Sequence, residues 1–250
     1  MNVTGGALSR DKDETIRQLR EMNSDLADAM RIVAHDLKAP LRAVANLSTW
    51  IEEDIQEQLG ERLPDDTRRQ MNLLRTRLDE MDSRIDGLSR YLGAGRTNDR
   101  AEPIDVSALI AEAVAQVNPP ADFQVVVASA VATVLGTRSL LREVFVQLID
   151  NAVRHHHAQQ GRVRISASET ADAHCFSVED DGPGIPQEHH AHVFGAFFKL
   201  PRSPASRLGL GLALVRRAVS AHGGQVRIAH GEARGTCVEL TWPKIPSAPA

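Results

Sequence analysis

Along the first quarter of the chain, apolar residues return at steps of three and four: Leu19, Met22, Leu26, Met30, Val33, Leu37, Leu41, Val44, Leu47, Ile51, Ile55 and Leu59. A helix of 3.6 residues per turn lines such positions up on one side, so the spacing predicts one long amphipathic helix. Gly60 and Pro64 interrupt it, and Asp65, Asp66 and Thr67 offer capping side chains for a second helix. There Met71, Leu74, Leu78, Met81, Ile85, Leu88 and Leu92 alternate steps of three and four, the rhythm of a coiled-coil seam. A single hairpin cannot enclose so long a stripe. Pairing of two chains into a four-helix bundle buries it, which makes a homodimer the expected state.

With 42% hydrophobic and 25% charged residues the chain has the make-up of a folded protein, and 250 residues suffice for two cores. A formal net charge of -4 argues against a nucleic-acid or membrane-binding surface. The longest weakly polar stretch, Val125 to Leu135, contains Ser129 and Thr133. It falls short of the roughly 20 apolar residues that span a bilayer. Residues 1–6 show no basic region followed by an apolar one, so no signal peptide is read there. Cys175 and Cys237 lie in strand-like stretches without metal-ligand or redox spacing and read as packed thiols of a reducing compartment. The cytoplasm is the expected location.

Between residues 93 and 103, glycines, Asn98, Asp99 and arginines give the composition of an exposed linker. The expected divisions are a tail over 1–14, a helical domain over 15–92, this linker, a second domain over 104–244 and a tail over 245–250. In the second domain the pattern predicts helices near Val106 to Val117, Ser139 to His156 and Gly211 to Ala221. Strands are expected over Gln124 to Val134, Val163 to Ser168, His174 to Glu179, Gln225 to Ala229 and Thr236 to Thr241. Such an order suits a mixed sheet with helices layered on one face.

Ala34-His35-Asp36-Leu37-Lys38-Ala39-Pro40 falls in the middle of the first helix. The proline removes a hydrogen bond and crowds the preceding turn, so a local kink is expected. His35 lies two residues from both Val33 and Leu37, and about 200° of helical rotation turns it away from the seam. Alone, this is an ordinary exposed His-Asp pair. In its order of His, acidic residue, three further positions and Pro, the stretch resembles the phosphoacceptor motif of sensor histidine kinases. The resemblance implies that His35 attacks the γ-phosphate of ATP and that Asp36, as base or orienter, holds the far ring nitrogen.

Further stretches resemble the boxes of that family's ATP-binding domain. Gln147-Leu148-Ile149-Asp150-Asn151-Ala152-Val153-Arg154-His155 is similar to the N box. The resemblance implies that Asn151 gives an amide oxygen to Mg²⁺, Arg154 meets phosphate and His155 lies against the nucleotide. Gln147 stands where the family has a first asparagine, and its longer amide retains an oxygen for metal or water. Val178 to Pro186, with Asp180, Gly182 and Gly184, resembles the G1 box, whose carboxylate receives the adenine amino group; Asp181 stands where asparagine is common. Val193 to Lys199 resembles the F box, with Lys199 within reach of phosphate at the rim of a lid from Pro186 to Leu208. Arg207 to Arg216 resembles the G2 box, in which Gly209, Gly211 and Leu212 bring phosphate to amides at a helix N-terminus; Arg207 replaces a usual glycine.

Taken singly, each stretch has a plain explanation: core positions around a surface amide, a tight loop, packed phenylalanines, a glycine pair before a helix. Their family order, after a hairpin bearing the histidine motif, carries the resemblance, which runs from about Arg17 to Pro243. It implies a dimeric four-helix bundle followed by an α+β sandwich of the GHKL, or Bergerat, type. The implied activity is an ATP-dependent protein-histidine kinase using Mg²⁺, with an aspartate of a response regulator receiver domain as next acceptor. A silent dimeric scaffold, and another ATPase of the same superfamily, are the alternatives. No Walker A or protein-kinase signature competes. His156, His157, His189, His190 and His192 lack acidic and cysteine partners at metal-ligand spacing. Ala39, where phosphatase-active relatives carry Thr or Asn, implies weak dephosphorylation of the receiver. No sensor domain is read in Met1 to Glu14, so an upstream sensor domain or a separate sensor protein is expected to supply the signal.

Overall fold

The computed structural model describes residues 4–60, 63–94, 100–129, 133–156, 158, 160–201, 208–229 and 234–244. The expected tails at 1–3 and 245–250, residues 95–99 of the linker, His157 and Arg207 lie outside the described residues. The chain divides into two compact units, Met1–Leu92 and Gly93–Ala250.

The first unit is a hairpin of α1 (Thr4–Leu59) and α2 (Asp65–Gly93). Helix α1 begins at Thr4, well inside the expected tail. From Ala7 to Ala39 no glycine or proline interrupts the chain, so nothing local stops the helix. It runs through Pro40 as one helix. The turn at Gly60 (φ 50°) is closed by the Leu63 N–H donating to the Gly60 carbonyl at 3.3 Å. Helix α2 carries Asp65 and Asp66 in its first turn and Arg90 near its end, complementing its dipole. Within the hairpin Ala27, Ala34, Leu78 and Leu92 are buried, and Lys38 pairs with Asp86 at 2.6 Å. Much of the stripe remains uncovered: Leu26, Val33, Leu37, Val44, Leu47 and Ile51 on α1 and Leu74 and Met81 on α2 are exposed. The side chain of Leu19 lies outside the described residues.

The second unit runs β1 (Glu102–Asp105), α3 (Val106–Val117), β2 (Phe123–Val127), β3 (Thr133–Gly136), α4 (Arg138–His155), β4 (Gly161–Glu169), β5 (Ala173–Asp180), α5 (Gly211–Ala221), β6 (Val226–Ala229) and β7 (Cys237–Pro243). A five-stranded sheet is ordered β2-β4-β5-β7-β6, with β2 parallel to β4 and the other neighbours antiparallel; β1 and β3 form a separate antiparallel pair. Alternate residues of β5, His174, Phe176 and Val178, turn inward to one core with Leu141, Val144, Phe145 and Ile149 of α4 and Val215, Ala218 and Val219 of α5. Phe145 and Phe176 meet edge to face at 5.5 Å.

Two expectations change. The run from Gln124 to Val134 is two strands in different sheets, β2 beside β4 and β3 beside β1. The Ser129 hydroxyl donates to the Ala167 carbonyl and accepts from its N–H, taking the place of ladder bonds as the chain leaves the sheet. The end of the expected linker is strand β1, whose start at Glu102 is paired with Gly136 despite Pro103. A strand this short leaves little period-2 signal.

Candidate active site

On α1, His35 is 85% exposed, and its Nδ1 lies 3.2 Å from Asp36 Oδ1, which leaves Nε2 as the outward nitrogen. Its position follows from the helix: Ala34 is buried against the hairpin, and the next residue is turned by about 100°. A neighbouring carboxylate that accepts from Nδ1 selects the tautomer with a lone pair on Nε2.

In the second unit the predicted residues gather from several elements. Helix α4 is buried along its inner face through Gln147 and Leu148, and Asn151 sits half-buried at its rim. The Gln147 amide donates through Nε2 to Glu143 Oε1 at 2.9 Å, which turns its oxygen the other way. A Cβ on Gly211, the first residue of α5, would lie 3.1 Å from Asn151 Oδ1 and 3.2 Å from Gln147 Oε1. Two neutral amide oxygens therefore converge beside the N-terminus of α5, where backbone N–H groups are unpaired within the helix and favour anions. Oxygen donors that leave room for water and phosphate suit Mg²⁺, so Asn151 and Gln147 fit that cation. Among the described residues no group of three or more His, Cys, Asp or Glu side chains gathers as a metal site.

Gly209 joins the third stretch to this point. Its φ of 70° is left-handed, and a Cβ there would fall on the Phe198 carbonyl oxygen with the Lys199 stem 3.1 Å away. Phe198 packs against the core, and Lys199 is exposed. Leu212 is half-buried and anchors the first turn of α5 to the same core. Arg154 and His155 stand exposed at the end of α4, and the Arg154 guanidinium pairs with Asp150 one turn back. The lid expected over Pro186 to Leu208 is described to residue 201, with a single 3₁₀ turn at Gln187–His189.

Asp180 ends β5 with its carboxylate held by backbone: Oδ1 accepts from the N–H of Gly182 at 2.9 Å and of Thr236 at 3.2 Å. Burial holds this carboxyl above the usual range. The two backbone hydrogen bonds and the His156 ring pull the other way, and the Asp181 carboxylate adds to the rise. A Cβ on Gly184 would lie 2.9 Å from the Gly235 carbonyl oxygen, and one on Gly235 would fall on the Asp180 carbonyl oxygen. Gly235, at a φ of 132°, and Thr236 therefore lie directly against Asp180, although the sequence analysis assigned them no role. A Gly-Thr pair entering the last strand was the available signal; it is brought to Asp180 only by the pairing of β5 with β7. His156 was missed likewise.

Comparison with known proteins follows the same lines. Residues 136–246 match the family described as "Histidine kinase-, DNA gyrase B-, and HSP90-like ATPase". The adaptive-response sensory kinase SasA of Thermosynechococcus vestitus is 30% identical over 255 residues, covering 94% of this chain and 66% of that protein. The chain thus spans just under two thirds of that relative's length. Full-length ShkA, solved in complex with AMPPNP, superposes with a TM-score of 0.65 at 25% identity, covering 89% of this chain and 47% of that one. The mycobacterial sensor histidine kinase MprB gives a TM-score of 0.51 at 29% identity, covering 59% of this chain and 99% of that one.

Proposed function

We propose that this chain is a sensor histidine kinase core, joining a helical hairpin to an ATP-binding domain of the histidine kinase-like ATPase type, and that it moves the γ-phosphoryl group of ATP onto His35 and then onto an aspartate of a response regulator. The observation that carries the reading is the meeting at Gly211 and Gly209 of residues far apart in the chain: Gln147, Asn151, Phe198 and Lys199. Amide oxygens lie beside Gly211 and a lysine stem beside Gly209, next to the N-terminus of α5, and such groups are the ingredients of a triphosphate site.

In the first step the Nε2 lone pair of His35 attacks the γ-phosphorus. A P–N bond forms, the bond to the β,γ-bridging oxygen breaks, and ADP leaves. Asp36 holds Nδ1–H and stabilises the positive charge that grows on the ring. Asp180 accepts from the adenine amino group, with Gly182 and Gly184 admitting the base. Lys199 and Arg154 face phosphate, and His155 lies along the nucleotide. Mg²⁺, when bound, neutralises charge on the phosphates, and Asn151 and Gln147 hold it. In the second step a receiver carboxylate displaces the imidazole, so the P–N bond breaks and an acyl phosphate forms.

The reading includes a homodimer, because the stripe on α1 and α2 is left open in a single chain. It places the phosphotransfer domain in residues 15–92 and the catalytic domain in 104–244. It sets the protein in the cytoplasm under an upstream sensor domain or sensor protein; among the described residues no helix is long and apolar enough to cross a membrane. Incubation with ATP and Mg²⁺, then mass spectrometry under non-acidic conditions, should find phosphate on His35 and none in His35→Gln. A silent scaffold would bind ATP and acquire no label. With Ala39 in place, ADP-stimulated loss of phosphate from the receiver should be slow, and Ala39→Thr should quicken it.

A further inference from the structure

Resting on the nucleotide-binding reading above, we infer that His156 is a positioning residue: its ring, clasped to Asp181, holds the end of α4 against the turn that carries Asp180. The side chain is only 4% exposed although the residue directly follows α4, in an extended conformation. Its Nε2 lies 3.2 Å from Asp181 Oδ1, an ion-pair distance without the alignment of a hydrogen bond, and its Nδ1 lies 2.9 Å from the Ala158 carbonyl oxygen. The ring stands edge-on to Phe123 at 5.6 Å, and a Cβ on Gly182 would come within 3.4 Å of its Cδ2. Asp181 is itself anchored, accepting from the Arg162 N–H at 2.7 Å and donating its own N–H to the Arg162 carbonyl at 3.3 Å. One imidazole thus fills the joint between the end of α4, the starts of β2 and β4, and the loop after β5.

A packing role alone would be served by an apolar ring and by the asparagine that is common at the Asp181 position. Here the joint instead carries a titratable pair immediately beside the carboxylate that meets adenine. Among the groups around Asp180, the His156 ring favours the ionised carboxylate and Asp181 opposes it. Cys237, across on β7, is pushed up to about 11 by burial and by the carboxylates of Glu179, Glu239 and Asp180, so its thiol stays neutral. The clasp therefore sets both where Asp180 sits and how readily it stays an acceptor.

The two partners act on Asp180 with opposite sign, which separates positioning from packing. ADP affinity of the full chain, measured by calorimetry from about pH 5 to pH 8, should be about tenfold weaker at neutral pH in His156→Gln. The acid limb, where Asp180 takes a proton, should move to higher pH in His156→Gln and to lower pH in Asp181→Asn. The rate of His35 phosphorylation at saturating ATP should change by less than about twofold in both. Unchanged affinity with an unmoved acid limb, shifts of the same sign, or a lowered melting temperature alone would overturn the proposal. Asp181→Asn is isosteric, so its shift decides the matter if His156→Gln fails to fold. Absence of ADP binding by the unaltered chain would instead defeat the nucleotide-site reading and the clasp together.

Discussion

On the hairpin, the side chain assigned the reaction stands nearly bare: His35 is 85% exposed, with the adjacent Asp36 as its close polar partner among the described residues. In the second unit the corresponding groups are buried or half-buried, and their partners come from remote parts of the chain. Asp180 is held by two backbone N–H groups, and the amide oxygens of Asn151 and Gln147 are set against Gly211. The contrast follows from the tasks. On the proposed reading, a nucleophile that meets ATP and then a receiver needs access from more than one direction, whereas a nucleotide site works through donors and acceptors placed before the ligand arrives. The units also differ in completeness, since the second closes its own core while the first leaves its stripe open.

Four experiments would sharpen or break that contrast, taken from the largest expected effect to the smallest. Val44→Glu combined with Ile51→Glu puts charge into the open stripe and should cost about 3 kcal/mol or more of association per unpaired buried charge. Light scattering should then report a monomer while the melting of the second unit is unchanged. A dimer that survives would mean the stripe is not the interface. Gly235→Ala forces a Cβ onto the Asp180 carbonyl oxygen at a left-handed φ and should destabilise the second unit by about 2–4 kcal/mol, read by thermal melting.

Asp180→Asn should abolish the rise in melting temperature that ADP produces, yet melt slightly higher than the unaltered chain without nucleotide at neutral pH. The sign follows from the shift. Burial raises this carboxyl in the folded state, so its ionisation disfavours folding as pH rises through that raised value. An asparagine avoids the cost and can still accept from Gly182 and Thr236. Smallest is the acid sensitivity of His174 and His222, which burial holds below the usual imidazole range. Both fold neutral, so the stability they support is present above the unfolded-state value and is lost as pH falls below it toward the lowered folded value. Melting temperature should fall over that window, and His222→Asn, which leaves the stacked partner Trp242 in place, should flatten part of the fall.

Much of this was legible in the chain itself because it is periodic or local. The steps of three and four in α1 and α2 carry the hairpin, and β5 is visible as a strand-like stretch from His174 to Glu179. The exposure of His35 follows from its two-residue offset from the stripe. The family order of boxes led to Asn151, Asp180, Gly209 and Gly211. Residues whose importance comes from a distant partner were not legible: Gly235, Thr236 and His156 matter through Asp180 and Asp181, and β1 exists only because β3 pairs with it.

Sequence by itself determined the two hairpin helices and their apolar stripe, the longer helices and strands of the second unit, and which residue types are available for phosphoryl chemistry, since these depend on neighbours within a turn or two. The tertiary structure alone decided the split of residues 124–134 between two sheets, the convergence of two amide oxygens on Gly211, and the clasp of His156 on Asp181. Those depend on strand partners and on atoms brought together from remote positions, for which no local pattern carries the information.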